Sequence, residues 1–206
     1  KTTLVNLITG LLKADAGRIL LDEKDITGFK DHQRVAAGMS RCFQVTRVFA
    51  RDTVQHNLVL ALQAHAGSNL RFFAPRARES DLYAQAADLA ARVGLSAVLS
   101  REAGTLPHGA QRALDVALAL AAKPRLLLLD EPMAGMGPEE SARMVELIDS
   151  LRGSCAVLLV EHDMDAVFAL ADRITVLVYG KTIFTGTPDE VRRHPDVRAA
   201  YLGEEE

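Results

Sequence analysis

Long apolar runs are absent from this chain. Its longest, such as VALALAA (Val116–Ala122) and LLLL (Leu126–Leu129), stop far short of the roughly 20 residues that a bilayer-spanning helix needs. No stretch reads as a secretory signal either. Cysteine is scarce. Cys42 and Cys155 lie far apart in apolar surroundings, which suits buried free thiols rather than a disulfide or a metal site. Excess charge of one sign is missing too. With 24 Lys+Arg against 27 Asp+Glu the net charge is −3, so nothing global draws the chain to nucleic acid or to an acidic membrane surface. Internal repeats, low-complexity tracts and long linkers are also lacking. A soluble cytosolic protein is expected. Its 206 residues are enough for one substantial domain or a domain with a subdomain. The 49% hydrophobic and 25% charged content is that of a globular chain.

Both ends of the chain alternate strand-like and helical segments. GRILLD (Gly17–Asp22) and SRCFQ (Ser40–Gln44) are short enough for strands. PRLLLLDEP (Pro124–Pro132) is a continuous apolar run closed by two acids, as in a strand buried on both faces. CAVLLVEH (Cys155–His162) is a second such run. Between them PEESARMVELIDSLRG opens on Pro and acids, keeps helical periodicity and is expected to stop at Gly153. Strand, helix and strand in that order predict a parallel sheet with a right-handed crossover. DRITVLVYGKTIFTG predicts a hairpin turning at Tyr179-Gly180-Lys181. The middle, from about Thr53 to Ala122, is Ala/Leu-rich and mostly helical, with a loop expected over Gly67–Ser80. The fold class expected is α/β, with an inserted helical subdomain.

Five stretches carry chemistry. LLLLDEP places Asp130 and Glu131 at the carboxyl edge of a parallel sheet, where ligands of open α/β folds bind. One carboxylate can hold a metal ion while its neighbour orients or deprotonates a water. Strands also end in acids for structural reasons alone. The opening Lys1-Thr2-Thr3 precedes the helical pattern Leu4, Val5, Leu7, Ile8, Leu11, Leu12. A Lys followed by a hydroxyl at a helix start is the back end of a phosphate-binding loop; it equally describes a capped helix with a solvated basic end. Gln44, between a strand and the helical insert, offers a neutral amide to a metal or a water, or is an ordinary loop residue. LPHGAQ (Leu106–Gln111) sets Gly109 before a strongly helical run, so a tight loop directs N–H groups and a helix dipole outward. His162, just past a buried strand, ends in register with Asp130 and can address a phosphate or an attacking water.

In this order the chain resembles the nucleotide-binding subunit of ABC transporters over essentially its whole length. KTT matches the end of Walker A, CFQ the Q-loop, LPHGAQ the position of the signature motif, LLLLDEP Walker B, AGMGPEE (Ala134–Glu140) the D-loop, and EHDM the switch histidine. FQVTRVFARDTVQHNL, AGMGPEE, LRFFAPRARE and the tail YGKTIFTGTPDEVRRHPDVRAAYLGEE resemble the branched-chain amino-acid importer ATPases and their urea and amide relatives.

That resemblance implies a P-loop NTPase (RecA-like) fold: a mostly parallel sheet with helices on both faces, plus the inserted α-helical subdomain. It implies one ABC ATPase domain over 1–206, with 1–44 and 123–206 as the core and 45–122 as the helical subdomain with the signature loop. Lys1, Thr2, Thr3 and Asp130 would bind ATP, with Thr2, Gln44 and Asp130 around Mg²⁺. Glu131 would be the general base, helped by His162 and Gln44. Leu106, Pro107, His108, Gly109, Ala110 and Gln111 would face the ATP of a second cassette, identical or related. Permease subunits and, through them, a substrate-binding protein are the partners implied, with no nucleic acid. The location implied is the cytoplasmic face of the cell membrane. A non-transport ABC ATPase, or an ATPase-like module with a weakened composite site, is the alternative.

Two departures from the family pattern carry expectations. The Walker A glycines and the family's N-terminal β region do not precede Lys1, so an N-terminally truncated chain is expected, with exposed strand edges. In it Lys1 would be a loose, solvated end, ATP binding would be poor or absent, and the truncated chain would be inactive although the full-length protein is an ATPase. Micromolar affinity in a nucleotide titration would refute that. Second, Pro107 stands where the family usually has Ser and offers neither hydroxyl nor N–H.

Overall fold

The computed structural model describes residues 1–42, 48–65 and 76–202. Helix α1 (Thr2–Thr9) leads to a short antiparallel pair, β1 (Leu20–Leu21) and β2 (Lys24–Asp25), then α2 (Asp31–Ala36) and β3 (Met39–Cys42). Helices α3 (Val54–His65), α4 (Arg76–Arg92) and α5 (His108–Leu120) come next. The chain then runs β4 (Leu126–Asp130), α6 (Pro138–Asp149), β5 (Ala156–Val160) and α7 (Met164–Leu170). The hairpin β6 (Ile174–Val178) and β7 (Lys181–Gly186) and the short helices α8 (Pro188–Arg193) and α9 (Pro195–Val197) follow, with a π-helical turn over Arg198–Leu202 after them.

Strands β3, β4 and β5 form a parallel sheet in that order, with Leu129 between Cys42 and Leu159, and Asp130 beside Val160. The unbroken apolar sequence of β4 reflects its place at the centre. Leu127 and Leu129 face one core, with Leu114, Val116, Met144 and Ile148 of α5 and α6. Leu128 faces the other, with Val5 of α1, Ile26 and Met39. All three of these leucines are at most 1% exposed. At about 1.5–3 kcal/mol per buried apolar side chain, this strand anchors both cores. The larger core is continuous from the sheet into α3 and α4, through Leu58, Leu62, Ala86 and Ala90. Helices on both faces of a parallel sheet are the α/β arrangement expected.

Arg34 secures the end of α1. Its buried guanidinium supplies N–H donors to the Leu7 and Ile8 carbonyls in the last turn of α1, and to the Thr27 and Phe29 carbonyls beside it. Burial lowers its pKa. Tyr179 (φ 48) and Gly180 (φ 80) form the hairpin's two-residue turn, with both residues left-handed as a type I′ turn requires.

Three sequence expectations shift. Helix α4 starts at Arg76, inside the loop expected over 67–80, because nothing after Pro75 breaks a helix before Gly94. Helix α6 ends at Asp149 rather than Gly153. Tight turns such as Leu151 N–H to Ile148 O carry the chain to Gly153 (φ 76), and Leu151 is fully buried. Gly109 lies within the first turn of α5, which begins at His108, because Pro107 with φ −56 already occupies the N-cap. Both thiols are free, but Cys155 is half-buried rather than buried as expected. Cys42 is buried, and burial pushes its pKa well up, so it is an inert core residue.

Candidate functional site

Strands β4 and β5 end side by side, so Glu131 and Glu161, the residues after them, share one edge of the sheet. Asp130 closes β4 and is 6% exposed. Its Oδ2 accepts from Arg41 Nη2 on β3 at 3.0 Å, while Arg41 Nη1 donates to Asn6 Oδ1 of α1 at 2.8 Å. One guanidinium therefore joins α1, β3 and β4. Glu131 turns the chain away from the sheet at φ 51, and its N–H donates to Val160 O at 2.8 Å. A non-glycine residue held there costs of order 1–3 kcal/mol, a strain typical of functional sites. The turn presents the partly exposed Glu131 side chain at the sheet edge.

The β5 end supplies Glu161 and His162. The His162 imidazole is 67% exposed, with Nδ1 3.6 Å from Glu161 Oε2. Asp163 caps α7 by accepting from the Asp165 and Ala166 N–H groups, which fixes where the strand stops and the helix begins. Lys1 is not the loose chain end expected. Its Nζ donates to Glu161 O at 3.2 Å, because the start of α1 lies against the end of β5. Thr2 and Thr3 stand exposed in the first turn of α1. Thus Lys1, Asp130, Glu131 and His162 come together through β4, β5 and the α1 terminus.

Gln44 lies outside the described residues. Leu106–Gln111 have their contacts elsewhere. Leu106 is buried, Pro107 and His108 are exposed, and Gln111 Nε2 closes the loop onto Leu106 O at 3.0 Å. Gly109 N–H donates to Glu140 Oε1 at 3.3 Å, and a Cβ on Gly109 would meet that oxygen at 2.6 Å. The LPHGAQ turn is therefore held against the start of α6 within the same chain.

The oxygens of Asp130 and Thr2 are hard donors of the kind Mg²⁺ takes, with waters filling the remaining positions. With Oδ2 engaged by Arg41, Asp130 would address a metal through Oδ1. Among the described residues no cluster of three or more His, Cys, Asp or Glu could hold a metal alone. Sequence reasoning missed Arg41 and Glu161. The available signal was a charged residue within a strand (Arg41) or directly after an apolar one (Glu161). It also missed Asn57, 2% exposed on α3, whose side chain accepts from Phe49 N–H and donates to Phe49 O and Thr53 O. Asn57 thereby fixes Phe49, which is 63% exposed, on the surface just beyond the Gln44 segment.

A groove of about 390 Å³ runs between α1, α2, β3, α3 and α5. It is lined by Leu11, Val35, Met39, Leu118 and Ala119, with Asp31 and His32 also in its wall. Among the described residues, no helix is long and apolar enough to cross a membrane.

Comparison with known proteins gives concordant matches. Residues 1–134 match the ABC transporter family model, and 181–206 match the model for branched-chain amino acid ATP-binding cassette transporters. The chain is 39% identical to the high-affinity branched-chain amino acid transport ATP-binding protein BraF of Pseudomonas aeruginosa, over 99% of this chain and 83% of the relative. It is 37% identical to LivG of Escherichia coli, a protein of the same description, with the same coverage. It is 31% identical to the lipopolysaccharide export system ATP-binding protein LptB of Haemophilus influenzae, over 100% of this chain and 82% of that relative. Among solved structures, the ADP conformation of MJ1267, an ATP-binding cassette of an ABC transporter, superposes with TM-score 0.83 at 28% identity, covering 99% of this chain and 84% of that one.

Proposed function

The chain belongs to the ABC transporter family of ATP-binding subunits, and on that premise we propose that it powers uptake of branched-chain amino acids through permease subunits. The family binds and hydrolyses ATP, so the chain is an ATPase. The observation that carries the solute class is the match of 181–206 to the branched-chain amino acid model, on top of 37–39% identity to transport ATP-binding proteins of that class. Those matches favour a transporter subunit over a non-transport ATPase. Reconstitution tests the reading. ATP turnover by the assembled transporter should rise when its binding protein carries leucine, isoleucine or valine, and turnover indifferent to all three would overturn it.

The residues act in named roles. Lys1 Nζ, at the start of α1, addresses the β and γ phosphates, helped by the helix N-terminus. Thr2 and Asp130, with Gln44, would hold Mg²⁺, which would supply charge neutralisation on the phosphates. Glu131 removes the proton from the attacking water, and His162 holds the γ-phosphate. Two cassettes sandwich ATP, with residues 106–111 of one against the phosphates of the other. Closing on ATP and opening after hydrolysis moves the permeases between two states. The core comprises 1–44 and 123–206, and the helical arm is 45–122. A permease helix docks in the groove between α1, α2 and the helical insert. The apolar lining with charged neighbours suits an amphipathic helix. On this reading the subunit lies on the inner face of the membrane.

Pro107 weakens the composite site. It caps α5 without a side-chain hydrogen bond. A Ser there adds a hydroxyl toward the partner's γ-phosphate, and a hydrogen bond to a charged group is worth about 1.5–3 kcal/mol. Pro107→Ser should raise turnover about tenfold, since about 1.4 kcal/mol is one decade. Asp caps a helix as well as Ser does but brings a negative charge to the phosphate, so Pro107→Asp should lower turnover. Equal rates in Ser and Asp variants would show that capping alone is at work.

A further inference from the structure

We infer that Glu161 is a positioning residue for ATP hydrolysis: its carboxylate ties the segment after Glu131 to the segment bearing His162. The Glu161 side chain is 1% exposed, although it comes directly after a strand of five apolar residues. Burying a carboxylate costs several kcal/mol unless its oxygens are hydrogen-bonded. Both oxygens meet that condition. Oε1 accepts from Met133 N–H at 3.0 Å, two residues past Glu131, and Oε2 accepts from His162 N–H at 3.1 Å. Glu161 O meanwhile accepts from Lys1 Nζ. One residue thus touches three of the segments around the phosphates without itself facing the nucleotide.

The placement matters because Glu131 and His162 must reach the same water and phosphate from two different strands. Ladder hydrogen bonds fix β4 against β5 only as far as Asp130 and Val160. Beyond that point Glu131 N–H to Val160 O and the Glu161 carboxylate link the two segments. A displacement near 1 Å can cost about 10²-fold in rate. Gln has the same size but turns one acceptor into an NH₂ donor. In Glu161→Gln one of the two backbone N–H groups would therefore meet a donor, and that loop would be released while the core stays filled.

This inference rests on the roles proposed for Glu131 and His162, and the test separates the two. The assembled transporter is assayed with Glu161→Gln and, as a control, His162→Ala. Glu161→Gln should lower kcat at least about tenfold with KM for ATP unchanged, as displacement of the reacting groups without loss of nucleotide contacts requires. Hydrogen exchange should show faster exchange at the Met133 or His162 amide and unchanged protection in β4 and β5. Full kcat, a rise in KM parallel to the loss, or unchanged exchange at both amides would each overturn the inference. If His162→Ala turns over at the full rate, the role given to His162 falls and this inference with it. If His162→Ala is slow while Glu161→Gln is not, only the role of Glu161 falls.

Discussion

Glu131→Gln is expected to lower ATP turnover by about 10²–10⁴-fold, the contribution of a positioned general base, while ATP still binds. Gln fills the same volume, so the strained turn at φ 51 and the Glu131 N–H to Val160 O bond are retained. The side chain is partly exposed, so the isosteric change leaves the packing in place. The carboxylate's capacity to take a proton is lost. If hydrolysis is what reopens the paired cassettes, the ATP-bound dimer should also persist in the variant. Sedimentation would then find dimer with ATP in Glu131→Gln and mostly monomer in the wild type. A steady-state assay with the permeases checks the rate. A variant at the full rate would remove Glu131 from the role of base and shift attention to His162.

Much of this site is legible in the chain because it sits where secondary-structure signals are strongest. Leu126–Leu129 must be buried on both faces, so the acids after them must emerge at a sheet edge. Cys155–Val160 is equally apolar and places His162, but β5 is not buried on both faces as expected: it ends the described parallel sheet and its residues are exposed or half-buried. The hairpin turn is equally plain, because Tyr179-Gly180 separates two β-rich runs. What periodicity does not encode is which polar groups meet across long separations. Arg41 and Asp130 lie on different strands, and Arg34 reaches carbonyls of α1 from α2. Glu161 reads as one more charge after a strand. Its meaning depends on Met133 lying opposite, which only the register of β4 and β5 provides. The same applies to Lys1. As a sequence it is a basic chain end, and it acquires a partner because α1 packs through Val5 on the sheet face that carries Leu128.

Removing Arg41 should cost about 3–5 kcal/mol of stability. Its side chain is 10% exposed and that of Asp130 is 6%, so the pair is shielded from water. A surface pair of this kind would contribute at most about 1 kcal/mol. Here the asymmetry of burial decides. Arg41→Met keeps much of the volume but leaves the Asp130 carboxylate buried without its cation, which costs about 3–5 kcal/mol. It also removes the tie to Asn6 on α1. For a chain of this length, about 2–4 °C per kcal/mol lowers Tm by roughly 6–20 °C. Arg41→Lys should recover only part of the loss, because a single ammonium cannot span Asn6 and Asp130 as the guanidinium fork does. The decisive variant combines Arg41→Met with Asp130→Asn. With both charges gone, the desolvation penalty goes too, and Tm should return toward the wild-type value. ATP turnover should not return, because Asp130 is proposed to hold the metal. Thermal melts and ATPase assays of the three variants separate the structural use of this carboxylate from its chemical use. An Arg41→Met chain that melts with the wild type would show that Asp130 is neutralised by another route.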